Sequence, residues 1–280
     1  MRKKVVLLHA QPVVELPAPG PPSAASPPFR DAGHGYDLFG LRPATLSRAV
    51  ALGRPLYQHY FRVESRGIET MPASGPVIVV ANHSGALPVD GAMLCLDLLL
   101  RSSPPRIPRA VADRFVPLLP FAGTLLARLG VVAGTRANAR CLLERGELLV
   151  VFPEGVSGVA KPFHDRYRLQ DWSVGHAELA LRHHAPVVPA AVIGAEESWP
   201  VALRLRGARL FGAPYLPVPA SPLPLPVRYH IHYGEPIRFE HLPAEAADDP
   251  AIVAECAARV RDELEELIER GLGARRGLFR

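Results

Sequence analysis

From Val77 onward, short β-branched apolar runs alternate with segments of helical periodicity, and this alternation limits the possible folds more than any other feature of the chain. Val77 to Val80, Val131-Val132, Leu148 to Phe152, Val187 to Ile193 and Tyr229 to Tyr233 read as strands. Between them, Gly91 to Arg101, Val116 to Leu129, Arg136 to Arg145 and Trp172 to His184 read as helices. Strands that alternate with helices of this length form crossover units, which predicts an α/β fold with a mixed, largely parallel sheet flanked by helices. Ile252, Cys256, Val260, Leu264, Leu267 and Ile268 recur at helical spacing with charged residues between them. An amphipathic C-terminal helix is therefore expected within about residues 245–271.

The N-terminal part reads differently. Residues 11–28 are dominated by Pro, Ala and Ser, so residues 1–40 are expected to form a flexible extension, with one domain over 41–280 and its motif-bearing core at about 70–240. The apolar run Val5 to Leu8 ends at His9, too short for the core of a signal peptide, so export is not expected. Between Arg42 and Arg62, Arg48, Arg54 and His59 are interleaved with Leu46, Val50, Leu52, Leu56 and Tyr60, with no acidic residue. This is a basic helical segment, expected to break near Pro55. It either docks on an anionic membrane or packs on the domain with its arginines solvated.

In the 280 residues, 48% are hydrophobic and 21% charged, with a net charge of +5, which excludes a disordered chain and suits phosphate-bearing partners without choosing among them. Aromatic residues make up only 7% and form no stripe with basic ones, which argues against a nucleic-acid partner. Cys95, Cys141 and Cys256 are odd in number and far apart, so neither a disulfide framework nor a metal site is expected, and each reads as a small buried hydrophobe. The longest apolar segments are interrupted by Asp97 or Pro120, so any membrane contact is expected to be peripheral, at the inner, cytoplasmic face.

The strand ending at Val80 runs into Ala81-Asn82-His83-Ser84-Gly85 and then Pro88, Asp90 and Gly91. Leu149 to Phe152 delivers Pro153-Glu154-Gly155 in the same manner, and Gly130 to Arg136 links a strand to a helix between them. Polar groups beyond the C-terminal ends of buried strands are how open α/β sheets build active sites, so three such turns are expected to converge on one cleft. Together these residues resemble the glycerolipid acyltransferase family, which includes the lysophosphatidic acid acyltransferases. The resemblance rests on four ordered blocks across roughly residues 76–195: Asn82-His83 with Asp90, Gly130 with Arg136, Val151-Phe152-Pro153-Glu154-Gly155, and Val187 to Val192.

Two departures qualify the match. The family places four residues between His and Asp, whereas six lie between His83 and Asp90, so the insert must loop for the pair to meet. Gly85 and Pro88 suit a turn there, while an Asp at that point can instead cap the following helix. After Pro-Glu-Gly the family continues with Thr-Arg, and here Val156-Ser157 stand instead. Lys161, Arg166 and Arg168 either replace the missing phosphate-binding charge or are solvated. The segment Lys161 to Arg168 is similar to the branch that acylates mono- and diacylglycerols.

The resemblance implies transfer of a fatty acyl group to a lipid hydroxyl. A hydroxyl is a poor nucleophile without a base, and histidine titrates near neutrality, so His83 is the expected general base, with Asp90 holding its tautomer. Asn82, Glu154, Gly155, Lys161 and Arg166 are the expected acceptor-side residues, with Arg136 toward a polar head. No cofactor is expected, acyl coenzyme A or acyl carrier protein being a co-substrate; the partners are that thioester donor, a glycerolipid acceptor and a membrane surface. Leu118, Leu119, Phe121, Leu125 and Leu126 either line an acyl channel, sit on the membrane or pack in the core. Two rivals stand beside this reading. A serine hydrolase elbow at Gly155-Val156-Ser157-Gly158 fails because Val159 replaces the required glycine. A non-catalytic lipid-binding protein would be indifferent to loss of His83.

Overall fold

The computed structural model describes residues 29–85, 87–159, 161–206, 215–275 and 277–279. The expected signal-like start and the linker of residues 11–28 lie outside the described residues. Along the chain the elements are α1 (Pro43–Pro55), β1 (Glu64–Arg66), β2 (Val77–Ala81), α2 (Val89–Arg101), β3 (Pro108–Ala112), α3 (Ala122–Arg128), β4 (Val132–Ala133), α4 (Arg136–Glu144) and β5 (Leu148–Val151). There follow α5 (Val156–Val159), α6 (Gly175–His183), β6 (Val187–Ile193), α7 (Ala195–Ser198), β7 (Val201–Arg206), β8 (Tyr215–Pro219), β9 (His230–Tyr233) and α8 (Pro250–Ala274).

Seven strands form one sheet in the order β1-β9-β6-β2-β5-β3-β4, while β7 and β8 pair separately. Strands β6, β2, β5, β3 and β4 all run parallel, so their C-terminal ends share one edge. Only β9 and its parallel partner β1 run the other way, β9 pairing antiparallel with β6. Every residue of β2 and β6 is buried, as central strands covered on both faces require. Successive side chains go to opposite faces: Val77, Val79 and Ala81 join α2, whereas Ile78 and Val80 join α4, α6 and α8. The expected α/β sheet flanked by helices is thus present, with a layer of helices on each face.

Several elements differ from the expectation. The helix expected over Val116 to Leu129 is split into a 3-10 turn (Val116–Leu118) and α3, because Pro120 interrupts it and Phe121 takes a left-handed backbone with φ 59°. The α-helix ends at Pro55, near the expected break, but the chain does not turn away there: it runs on into a π-helical turn, Leu56–Tyr60, closed by Phe61 N–H to Leu56 O at 2.8 Å. That turn carries Tyr57 into the core, where its hydroxyl, Ser65 Oγ and the Tyr233 hydroxyl all donate to buried Asp97, the last two at 2.8 Å. Cys256 is buried as expected, but Cys95 and Cys141 are only partly so. Among the described residues, no helix is long and apolar enough to cross a membrane.

Candidate active site

Strand β2 ends at Ala81, and the next residue continues its pairing through a side chain. The Asn82 amide donates to Val192 O at 2.9 Å and accepts from Val192 N–H at 2.8 Å, so it imitates one more ladder position on β6. Asn82 is completely buried, and its amide is bonded into the sheet. His83 therefore leaves the sheet from a fixed point.

The six-residue insert does loop. Gly85 adopts φ 88°, open to glycine, and Val89 N–H bonds Leu87 O at 2.7 Å before α2 begins. This turn brings Asp90 Oδ2 to 2.7 Å from His83 Nδ1, while the same oxygen accepts from Ser84 N–H at 2.7 Å. Asp90 is fully buried in the first turn of α2, where the positive end of the helix favours its charge. The residue capping α2 is Pro88, not Asp90. Because a carboxylate only accepts, the proton lies on Nδ1 and the lone pair of His83 on Nε2. The ring also stacks on Phe152 from β5, with centroids 4.2 Å apart.

Glu154 is the third fixed point. Its Oε1 accepts from His83 N–H at 3.0 Å and its Oε2 from Gln170 N–H at 2.8 Å. Lys161 Nζ lies 3.1 Å from Glu154 Oε2 and 3.4 Å from Glu196 Oε1. The Lys161 and Glu154 side chains are 1% and 0% exposed. Glu154 accepts from the backbone of His83, and Lys161 neutralises two buried carboxylates, so in this structure both bond within the protein. Burial pushes Glu196 up to about 7, against the opposing pull of Lys161. The network runs on through Tyr167, whose N–H donates to Glu196 at 2.7 Å and whose hydroxyl bonds Glu197, and Glu197 pairs with Arg275 at 2.9 Å.

The remaining expected residues lie elsewhere in relation to this core. Gly155 adopts φ 52°, and a Cβ there would sit 3.7 Å from the Asp113 carboxylate at the end of β3. Arg136 opens α4 on the same sheet edge, 86% exposed and paired with Glu178 at 3.0 Å. The Arg166 guanidinium lies over the Phe163 ring, 4.9 Å from its centroid. Ser157, the residue of the rival hydrolase reading, belongs to the short α5.

Sequence reasoning missed Gly158, Gln170, Tyr167 and Glu196. Gly158 packs so closely that a Cβ would meet His83 O at 2.8 Å and His83 Cβ at 2.9 Å. Its place three residues after the Pro153-Glu154-Gly155 block is the available signal, which the serine motif Gly155-Val156-Ser157-Gly158 obscures. The others act through backbone groups and ion pairs that sequence spacing does not reveal.

With this geometry in view, residues 62–193 match the model of a family described as Acyltransferase. The chain is 38% identical over 257 residues to an uncharacterized protein of Mycobacterium tuberculosis, covering 88% of this chain and 72% of that one. It is 30% identical over 212 residues to a Gallus gallus protein described as a DGAT1/2-independent enzyme synthesizing storage lipids, covering 73% of this chain and 58% of that one. Among solved structures it is similar to the 1-acyl-sn-glycerophosphate (LPA) acyltransferase PlsC of Thermotoga maritima, with a TM-score of 0.56 and 19% identity over 83% of this chain and 81% of that one. That last likeness is one of fold.

Proposed function

This chain belongs to the acyltransferase family, and we propose that it moves a fatty acyl group from a thioester donor to a glycerolipid hydroxyl, with His83 as general base. The observation that carries this reading is the buried Asp90 carboxylate 2.7 Å from His83 Nδ1, at the strand edge where five parallel strands end. In this mechanism Nε2 takes the hydroxyl proton as the acceptor oxygen attacks the thioester carbonyl. Asp90 stabilises the imidazolium that forms. The proton then passes to the departing thiolate, and no acyl-enzyme intermediate is needed. Acyl coenzyme A or acyl carrier protein is the donor.

A neutral acceptor, such as a mono- or diacylglycerol or a glycolipid, is the second reading, and the charges around the site favour it. Lys161 is buried between two glutamates, Arg166 covers Phe163, and the Asp113 carboxylate stands beside Gly155, where it would repel a phosphate. The storage-lipid description of the Gallus gallus relative agrees with this choice.

The protein works at a membrane surface, at its inner face. Support comes from Phe121, Leu118 and Leu125, which are 93%, 67% and 51% exposed around α3, and from Leu52 with the exposed Arg48 and Arg54 on α1, which contacts α3. Of the five apolar residues first considered for an acyl channel, Leu126 lines a cavity of about 210 Å³ with Phe39, Val116 and Val132.

The test is purified protein with labelled acyl coenzyme A and a panel of lysophospholipids, mono- and diacylglycerols and glycolipids. Transfer to at least one acceptor is expected, falling by about 10²- to 10⁴-fold in His83→Ala. A variant of unchanged melting behaviour that kept its activity would remove His83 from the chemistry. Vesicle binding with no transfer to any acceptor would favour the lipid-binding rival.

A further inference from the structure

A cavity of about 490 Å³ opens on the outer flank of the sheet, where β1 and β9 meet the last turn of α8. Strand register places Glu64 beside His230 and Arg66 beside His232, and the two-residue period puts these side chains, with Arg228, on one face. The space exists because α8 presents Gly271 and Ala274 there. A Cβ at Gly271 would meet the His232 ring at 3.1 Å.

The polar groups of this cavity are not used by the His83 site. Glu64 is neutralised by an ion pair with Arg228, and His230 Nδ1 lies 3.4 Å from it. Arg66 is exposed and makes no ion pair among the described residues. Buried His230 Nε2 and Arg228 Nε have no hydrogen-bond partner among the described residues, and a buried polar group left unpaired is costly. Burial first holds both imidazoles below the ordinary histidine range; Glu64 opposes it, while Arg228, Arg275 and Arg66 add to it at His230, and His230, Arg66 and Arg270 at His232. Arg228, Arg270 and Arg275 are paired with Glu64, Glu263 and Glu197, which leaves Arg66 as the cation of this group without an ion pair among the described residues, and the α8 C-terminus, whose carbonyls disfavour an anion, is followed at once by Arg275. Among the described residues no group of three His, Cys, Asp or Glu side chains is placed to hold a metal ion.

We propose that this cavity is a binding site for a phosphate-type oxyanion, held by Arg66, His230 and His232. The planar fork of arginine suits such a group, and a bound dianion draws protons onto the imidazoles, so binding strengthens as pH falls. His230 pairs with Ile193 at the end of β6, and β6 separates β9 from β2. Tyr229, Ile231 and Tyr233 pack with Val79 and Ala81 on the α2 face, so His230 and His232 point to the α8 face, and the cavity lies across the sheet from His83 and two strands to its side. The oxyanion is either a free ion or the phosphate of a thioester carrier, and the second source rests on the function proposed above.

Calorimetry at constant ionic strength separates these. Sulfate, whose charge is constant over the range, is titrated at about pH 6 and about pH 8, and coenzyme A is titrated with and without sulfate. Saturable sulfate binding is expected, about tenfold tighter at the lower pH, and about tenfold weaker in Arg66→Gln/His232→Gln. Coenzyme A binding that sulfate displaces, and that weakens likewise in the variant, identifies the carrier; sulfate binding that coenzyme A does not disturb identifies a free oxyanion. Arg66→Gln alone, changing an exposed side chain, serves if the double variant melts early. The proposal is overturned if the whole protein shows no saturable binding of either probe, or if the variants bind as tightly as the parent. Neither result depends on acyl transfer.

Discussion

Replacing Lys161 by Met tests whether the buried ion cluster holds His83 in place. The ammonium is 3.1 Å from Glu154 and 3.4 Å from Glu196, and the three side chains are between 0% and 5% exposed. Without the lysine, two carboxylates share one dry site, and breaking a buried pair of this kind costs about 3–5 kcal/mol. At about 2–4 °C per kcal/mol for a chain near this size, the melting temperature falls by on the order of 10 °C. The pH dependence is a second signature. Burial pushes Glu196 up to about 7, so below that pH the folded protein keeps a proton that the unfolded chain has released. Stability from this group therefore declines as pH rises from the ordinary carboxyl range, about 4.3, through about 7. Removing Lys161 raises the folded value further, so the variant is penalised more at about pH 8 than at about pH 6. Adding Glu196→Gln to Lys161→Met should recover at least about 1 kcal/mol by removing one of the stranded charges. Thermal and urea unfolding of the parent, the single variant and the double variant at both pH values measure all three effects. A Lys161→Met protein that melts within about 2 °C of the parent at the higher pH would refute the account.

Asp90→Asn should reduce turnover by about 10²- to 10⁴-fold while the fold persists, because the amide no longer fixes the His83 tautomer; turnover within a few-fold of the parent would contradict the pairing. Gly158→Ala drives a methyl into the backbone of His83, and activity is expected to fall at least about tenfold, with a loss of about 1–3 kcal/mol in urea unfolding. Burial lowers His176 to about 4, so the fold loses stability as pH falls from about 6.5 through about 4, where the unfolded chain takes up the proton first. His176→Gln should flatten the stability profile in that window, and an unchanged slope would assign the acid sensitivity to other groups.

The sheet was legible in the sequence where strands are fully buried, since runs such as Val187 to Ile193 carry a continuous apolar signal. Strands β1 and β3 illustrate the opposite case. β1 has three residues, and β3 begins with Pro108 and carries Arg109. Their pairing is decided by tertiary contacts: Arg109 is buried because Asp37 lies 2.7 Å away, in a segment far off in sequence. The His83 and Asp90 pair was legible because the strand-end setting and a glycine-containing insert gave a physical route to contact. The roles of Glu154, Lys161 and Asn82 were not, because a polar residue in a motif reads the same whether it faces substrate or the protein's own backbone. Only the burial of these three side chains and their bonds to Val192, His83 and Gln170 distinguish the two.

The side-chain rung that Asn82 adds beyond the end of β2 bears on the entropy of the reaction. His83 is held on one side by a neighbour locked to the central sheet, at its own amide by Glu154, and at its ring by Asp90 and Phe152. The freedom given up to orient the base is lost during folding, where the packing of the whole core offsets it. Little remains to be lost each time two flexible lipid molecules arrive, and their binding energy is left for aligning the hydroxyl and the carbonyl.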